Sequence, residues 1–316
     1  MIWEAMGAVV GAGFASGQEI AVFFSRFGRW SWAAILSASL LAWLLTRRIF
    51  TLGEAVFRRT IWRVAFGMLA AVTGGAMTAA AGDIAALTLP IPGARAIGFV
   101  LTLGAGWLCA TRNTPLLRRV CQGMILLLVG MMILCLRLPA QRAAVLPGLR
   151  GFAAGAASAA YGACYAGFNL ALSAPMLVRR GDSRSPGERR VTAAAFAALL
   201  GGLLALGNAV LLRQPLAMHG TLPMVYLSAQ LGKPGFVLCC AALWLAEVST
   251  LAAGLRTLHN LLPRQARWVG AAAILLIAAA GFGAVVGKLY PLLGALCTVF
   301  MLLPKDGTLH PGRNVV

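Results

Sequence analysis

The sequence predicts an all-α polytopic membrane protein, on the strength of its composition and the length of its apolar runs. Of its 316 residues, 60% are hydrophobic and only 11% are charged, and the mean hydropathy is +0.84. Apolar runs at residues 64–89, 120–136 and 191–212 match the about 20 residues that a helix needs to cross a bilayer. We expect these runs to be helices, because a helix satisfies its backbone polar groups within one segment.

Ten segments are predicted to span the membrane. The eighth apolar run is too long for one span, so its first part, before Lys233, is expected to form an outer loop or a short interfacial helix. The span proper then begins near Phe236. The predicted spans are 5–24, 31–50, 64–89, 96–111, 119–136, 152–177, 190–212, 222–255, 267–285 and 287–303.

The net charge of +19 is interpreted as a topology signal, because the basic residues lie in short clusters between the apolar runs. With a cytoplasmic N-terminus, 18 Lys and Arg residues fall on the cytoplasmic side and 9 fall outside. The positive-inside rule therefore predicts that both termini are cytoplasmic, which requires an even number of spans. No nucleic-acid partner is expected.

The chain divides into two predicted five-span repeats, residues 1–140 and 141–316, within one integral membrane domain. Because five is odd, the second repeat enters the membrane in the opposite sense, as in an inverted repeat. Each repeat opens with a span rich in small residues, at 7–24 and 159–171, and matching broken helices are typical of a transporter binding site. Close helix packing is the alternative explanation for these small residues.

The stretch GAVVGAGFASGQEI, residues 7–20, resembles the first-helix signature of the YkvI-type membrane proteins. That bacterial family is grouped with the amino-acid permeases of the amino acid–polyamine–organocation superfamily. The resemblance implies the LeuT fold, a 5+5 inverted repeat with broken helices 1 and 6, in the bacterial cytoplasmic membrane. Tyr161, Tyr165 and Asn169 in the sixth span and AEVST, residues 246–250, agree with it, whereas Phe168 stands where a tyrosine is expected.

A helix broken at the membrane midplane would expose N–H groups that attract a carboxylate and C=O groups that attract an ammonium group or Na⁺. An α-amino acid carries both charges and would fit such a break. The substrate site is predicted to comprise Ala8, Val9, Gly11, Ala12, Gly13, Phe14, Ala15, Ser16, Gly17, Glu19, Tyr161, Tyr165 and Asn169. By resemblance, a sodium site is predicted at Gly7, Val10, Ala246, Ser249 and Thr250.

Glu19, Asp83 and Glu247 are acids at or near membrane depth, where ionisable groups are expensive and mark function. They are the candidates for proton coupling. Na⁺ is favoured as the coupling ion and H⁺ stays open, since Ser249 and Thr250 can instead bond to their own helix backbone.

The predicted function is cation-coupled symport of an amino acid or a related small amine-bearing solute. A membrane sensor that binds ligand without net transport is the alternative, although the cytoplasmic loops are short. No Walker loop, nucleophile elbow or metalloprotease helix is present, so an enzyme is not indicated. No cofactor beyond the coupling ion is expected. The partners expected are the small-molecule substrate and the lipid bilayer, and the protein is expected to be a monomer or a weak homo-oligomer.

Overall fold

The computed structural model describes residues 11–52, 59–112, 115–141, 151–181 and 185–303, and all regular structure in these ranges is helical. A 3₁₀ segment, Ser25–Trp30, leads into the third helix, and a π-helical segment, Val285–Leu289, leads into the last. The α-helices are α1 (Ala12–Ala15), α2 (Gln18–Phe23), α3 (Ser31–Leu52), α4 (Thr60–Thr88), α5 (Ala94–Thr111), α6 (Pro115–Cys135), α7 (Gly151–Gly181), α8 (Pro186–Arg213), α9 (Pro223–Ala229), α10 (Lys233–Leu261), α11 (Arg267–Ala279), α12 (Phe282–Ala284) and α13 (Tyr290–Leu302).

Six helical segments in the described ranges are long and apolar enough to cross a membrane. Large apolar side chains such as Leu36, Val100 and Leu276 point outward, as lipid-facing residues do. The prediction of a multi-pass helical membrane protein is thus supported, whereas ten spans are not shown. The six segments are Ser25–Leu52, Thr60–Thr88, Ala94–Thr111, Pro186–Arg213, Lys233–Leu261 and Phe282–Leu302.

The boundary between the last two predicted spans was placed too late in the chain. The turn lies at Ala280 and Gly281, not at residue 286, so α11 has only 13 residues and the final segment begins at Phe282. Gly281 has φ +86°, a conformation that favours glycine. Hydropathy could not locate this turn, because residues 271–287 carry no charge.

The eighth predicted run divides as expected into a short helix and a long one. The short helix is α9, and the long helix α10 begins at Lys233, three residues before the predicted start.

The long helices form two packed groups. In the α4 group, α4 packs on α5, α10 and α11, and α5 packs on α10. In the α3 group, α7 packs on α3 and α13, and α8 packs on α3. The first predicted span lies between them: α1 contacts α10, α4 and α6, whereas α2 contacts α8, α7 and the π-helical segment. The two halves of the first span therefore belong to different groups.

Two arginines counted as topology signals also satisfy helix ends. Arg48 on α3 donates to Leu303 O at 2.7 Å, just beyond the end of α13. Arg256 on α10 donates to Cys109 O at 2.9 Å, near the end of α5. The last carbonyls of a helix lack partners within it, so these guanidinium groups join neighbouring helices where backbone acceptors are free.

Candidate functional site

The predicted break in the first span is present. Helix α1 ends at Ala15, and α2 begins at Gln18 after Ser16 and Gly17. Gly17 has φ +81° and ψ −8°, a left-handed conformation that an L-residue adopts only at a cost. The Ser16 hydroxyl donates to Gly13 O at 2.8 Å and accepts from the Gln18 N–H at 3.2 Å. This side chain therefore satisfies one backbone group on each side of the interruption.

The break is covered by the segment around the start of α9. The Met224 N–H donates to Ser16 O at 2.9 Å, so the carbonyl at the interruption already has a partner. A Cβ added to Gly17 would lie 3.1 Å from Pro223 Cβ, which shows how closely α9 approaches. With its amide nitrogen turned towards the carbonyls, Gln18 donates to Gly220 O and Thr221 O, both at 3.2 Å. The sequence gives no signal for these contacts.

Glu19 is buried immediately after the break, with 5% of its surface exposed. Its carboxyl group folds back over Gly13, where an added Cβ would lie 2.8 Å from Glu19 Cδ. The Tyr165 hydroxyl lies beside this carboxyl, and Tyr290 lies within electrostatic reach of it. Nevertheless, neither Glu19 Oε2 nor Tyr165 Oη has a hydrogen-bond partner of good geometry among the described residues. Gly13 therefore provides room for the Glu19 carboxyl group, one oxygen of which lacks a hydrogen-bond partner within the described ranges.

Aromatic rings close the space between α2 and α7. Tyr165 is fully buried, and its ring centroid lies 5.3 Å from that of Phe23 and 5.0 Å from that of Phe24. Tyr161 makes an edge contact with Phe23 at 6.0 Å, and the Arg26 guanidinium lies 4.1 Å above the Tyr161 ring. Sequence reasoning named the two tyrosines and missed their partners in the first span.

The predicted break in the sixth span is wrong, because α7 is continuous from Gly151 to Gly181. Its small residues serve close packing, the alternative explanation. A Cβ on Gly162 would collide with the backbone of Ala34 in α3, and one on Gly167 would collide with α13. Asn169 is buried and donates to Tyr165 O at 3.1 Å within its own helix. The backbone N–H and C=O groups of α7 are therefore engaged in its own helical hydrogen bonds and are not free for a ligand.

The predicted sodium site is only partly open to structural description. Gly7, Ala8, Val9 and Val10 lie outside the described residues, and the remaining three sodium candidates lie on α10. The hydroxyls of Ser249 and Thr250 both donate to Ala246 O at 3.0 Å.

This is the backbone bonding that was the alternative to a sodium role. The Ala246 carbonyl, with two hydroxyl donors, has little capacity left for a cation. Thr250 does face the first span, because its Oγ1 lies 3.7 Å from a Cβ built on Gly11. Of the remaining predicted substrate residues, Ala12, Phe14 and Ala15 are buried in α1.

Glu247 lies midway along α10 and is fully buried, and neither of its carboxyl oxygens has a partner in the described part of the chain. Asp83 is the nearby acid on α4. It pairs with Arg95 at 2.8 Å, and the Arg95 side chain is 64% exposed. Asp83 is therefore tied to the surface of the bundle, whereas Glu247 is an unsatisfied polar group in its interior.

A buried polar cluster that sequence reasoning missed holds the 3₁₀ segment after α2. Asn208 of α8 accepts from the Ser25 hydroxyl and donates to Ser31 Oγ, both at 2.9 Å, and all three residues are fully buried. The available signal was an amide in the middle of an apolar run, because polar residues at membrane depth usually bond across helices.

Among the described residues, no group of three or more His, Cys, Asp or Glu side chains is placed to hold a metal ion. Comparisons with known protein families and with curated proteins give no match to this chain.

Proposed function

We propose that the protein is a secondary active transporter that moves an amino acid or a related small amine-bearing solute together with a cation. The observation that carries the proposal is the interrupted first span. Its two halves pack on different helix groups, and a buried, incompletely satisfied carboxylate, Glu19, follows the interruption.

Alternating access requires two bodies that move against each other around a binding site. The α4 group and the α3 group supply two such bodies, and the joint at Ser16 and Gly17 lies where the chain passes from one to the other. A rocking motion would change the geometry of this joint and of the groups around it. The site therefore lies where binding and motion can be coupled.

The helix contacts also support an inverted repeat. If spans 1–5 exchange with spans 6–10, the packing of α5 on α10 corresponds to the packing of α11 on α4, and both contacts are present. This correspondence supports the LeuT-like arrangement and, with the signature at residues 7–20, membership of the YkvI-type family. The bacterial cytoplasmic membrane, cytoplasmic termini and a monomer or weak homo-oligomer belong to the same proposal.

Two sets of groups compete for the coupling role. Na⁺ would use the Thr250 hydroxyl that faces Gly11, but it would have to displace hydrogen bonds to Ala246 O. H⁺ would use Glu19 or Glu247, whose unpartnered oxygens are available. The described residues support H⁺ no less than Na⁺, so the proposal is for a cation-coupled carrier with either ion.

Counterflow in proteoliposomes tests the proposal. Vesicles loaded with an unlabelled solute from an amino-acid and amine panel should accumulate the labelled solute transiently, which a sensor or a channel does not do. Gly13→Leu should abolish the exchange, because its side chain would occupy the space of the Glu19 carboxyl. Gly104→Leu is the matched control, since a Cβ at Gly104 meets no atom within 4 Å. Absence of counterflow with every solute would refute the transport proposal.

A further inference from the structure

We propose that the site at the first-span break recognises its substrate through an ammonium group held by Glu19, and that it requires no carboxylate on the substrate. The inference rests on the location of the site in the proposed function and narrows its substrate to amines without a carboxylate. It depends on the charges and the free polar atoms around the break.

The buried acidic group at the break has no basic partner among the described residues. Glu19 is 5% exposed, and no Lys or Arg is among the buried side chains of the described ranges. Of the other buried acids and histidines, Asp83 pairs with Arg95, His259 lies against Trp107 near the end of α10, and Glu247 lies on α10, away from the break. A buried carboxylate without a cation is costly, and a ligand ammonium would supply the missing partner at Glu19 Oε2.

The aromatic surroundings of Glu19 suit the same ligand. Tyr165 and Tyr290 both lie near the carboxyl, and Phe168 stacks on Tyr290 with ring centroids 4.1 Å apart. A cation above an aromatic face is attracted to the ring quadrupole, more strongly where water is excluded. The ring faces add attraction for an ammonium.

The carboxylate of a zwitterion would find few free hydrogen-bond donors at this site. Recognition of a carboxylate was expected from backbone N–H groups at two broken helices, but α7 is continuous. At the first break, the Gly17 N–H bonds to Phe14 O and the Gln18 N–H bonds to Ser16 Oγ. A substrate carboxylate would also be repelled by Glu19. The site therefore favours a ligand that carries only the positive charge.

A proton would compete with the ammonium for the Glu19 carboxylate. The ionisable groups that face this carboxyl from the packed elements are Tyr165 on α7 and Tyr290 at the start of α13. Neither is basic, so no described neighbour would hold the carboxylate ionised as acid is added. Binding of the ammonium should accordingly weaken as pH falls.

The experiment measures binding to the purified full-length protein in detergent by calorimetry. Two sets of probes each keep one side chain and vary the charged groups: ethylamine, alanine and N-acetylalanine, and isopentylamine, leucine and N-acetylleucine. The amine lacks the carboxylate, and the N-acetyl compound lacks the ammonium. We expect the amine in at least one set to bind at least tenfold more tightly than its amino acid, and the N-acetyl compound not to bind. Between pH 7.5 and 5.5 the amines keep their charge, and their affinity should fall.

Variants separate the role of the charge from a structural role. Glu19→Gln keeps the size of the side chain and should weaken amine binding at least thirtyfold, and Glu19→Asp should give an intermediate loss. Glu188→Gln, the same change in the exposed capping box of α8, should leave it unchanged. If Glu19→Gln does not fold, the probe series and the pH series on the unaltered protein still decide.

The outcomes also separate this inference from transport. Amino acids that bind more tightly than their amines, or amine affinity independent of pH or of Glu19→Gln, would overturn the inference while leaving transport possible. Binding by none of the six probes would overturn it as well. Amine binding that depends on pH and on Glu19 as expected, but without counterflow, would uphold the inference and refute the transport proposal.

Discussion

Substitution of Gly17 by alanine isolates what holds the first span open at its break. Gly17 has φ +81°, and placing an L-residue in that region costs about 1–2 kcal/mol. The new Cβ would also lie 3.1 Å from Pro223 Cβ and 3.2 Å from Met224 Cγ, closer than ordinary contact. Because the overlap is small, we take the low end of overpacking costs, about 1 kcal/mol. Gly17→Ala should therefore lower the free energy of unfolding by about 2–3 kcal/mol.

Gly93→Ala is the control that removes the packing contribution. Gly93 has the same φ, +81°, and also precedes the first residue of a helix, but an added Cβ there meets no atom within 4 Å. It should cost only the conformational part, about 1–2 kcal/mol. Denaturant titration in mixed micelles gives both free energies, and counterflow should fall in Gly17→Ala alone. Equal losses of stability, with normal counterflow in both variants, would refute the role assigned to the contact with α9.

Three further predictions concern coupling, topology and packing. Thr250→Ala should raise the Na⁺ concentration for half-maximal uptake and Glu247→Gln should change the pH profile, whereas full uptake in a proton gradient without Na⁺, indifferent to Thr250→Ala, would exclude the sodium role. In a cysteine-free background, an impermeant thiol reagent added outside should label Gly93→Cys and spare Ser185→Cys, and the reverse result would invert the topology. Gly162→Ala should destabilise the bundle by about 1–3 kcal/mol in the same titration, because the Cβ collides with backbone in α3; unchanged stability would contradict that packing.

The membrane class and the first break could be predicted because their signals are local. Long apolar runs report burial in lipid whatever their neighbours are. In the sequence, Gly17 is followed directly by Gln18 and Glu19, so a flexible residue and polar side chains interrupt an apolar run at one place. In the structure Gly17 adopts a positive φ at that place. The position of Glu19, two residues beyond Gly17, followed from the sequence alone.

The second break could not be predicted correctly, since composition does not distinguish a glycine that interrupts a helix from one that lets a neighbouring helix approach. In α7, Gly162 keeps helical geometry, and its missing side chain lets α3 approach. Which use applies depends on the partner helix, and the contact with Ala34 joins residues more than a hundred positions apart. The bond between Asn208 and Ser25 has the same origin, because it connects residues 183 positions apart.

The difference between the two halves bears directly on the proposed chemistry. With two broken helices, a site would have free N–H groups for a carboxylate and free carbonyls for an ammonium. Here α7 uses its own backbone, and Ser16 O already accepts from Met224. The strongest group left for recognition is the Glu19 side chain, whose Oε2 is buried without a partner among the described residues. Because only the first of the two helices is broken, recognition of a ligand would depend on the Glu19 carboxylate and not on free backbone groups. A carboxylate selects a cation.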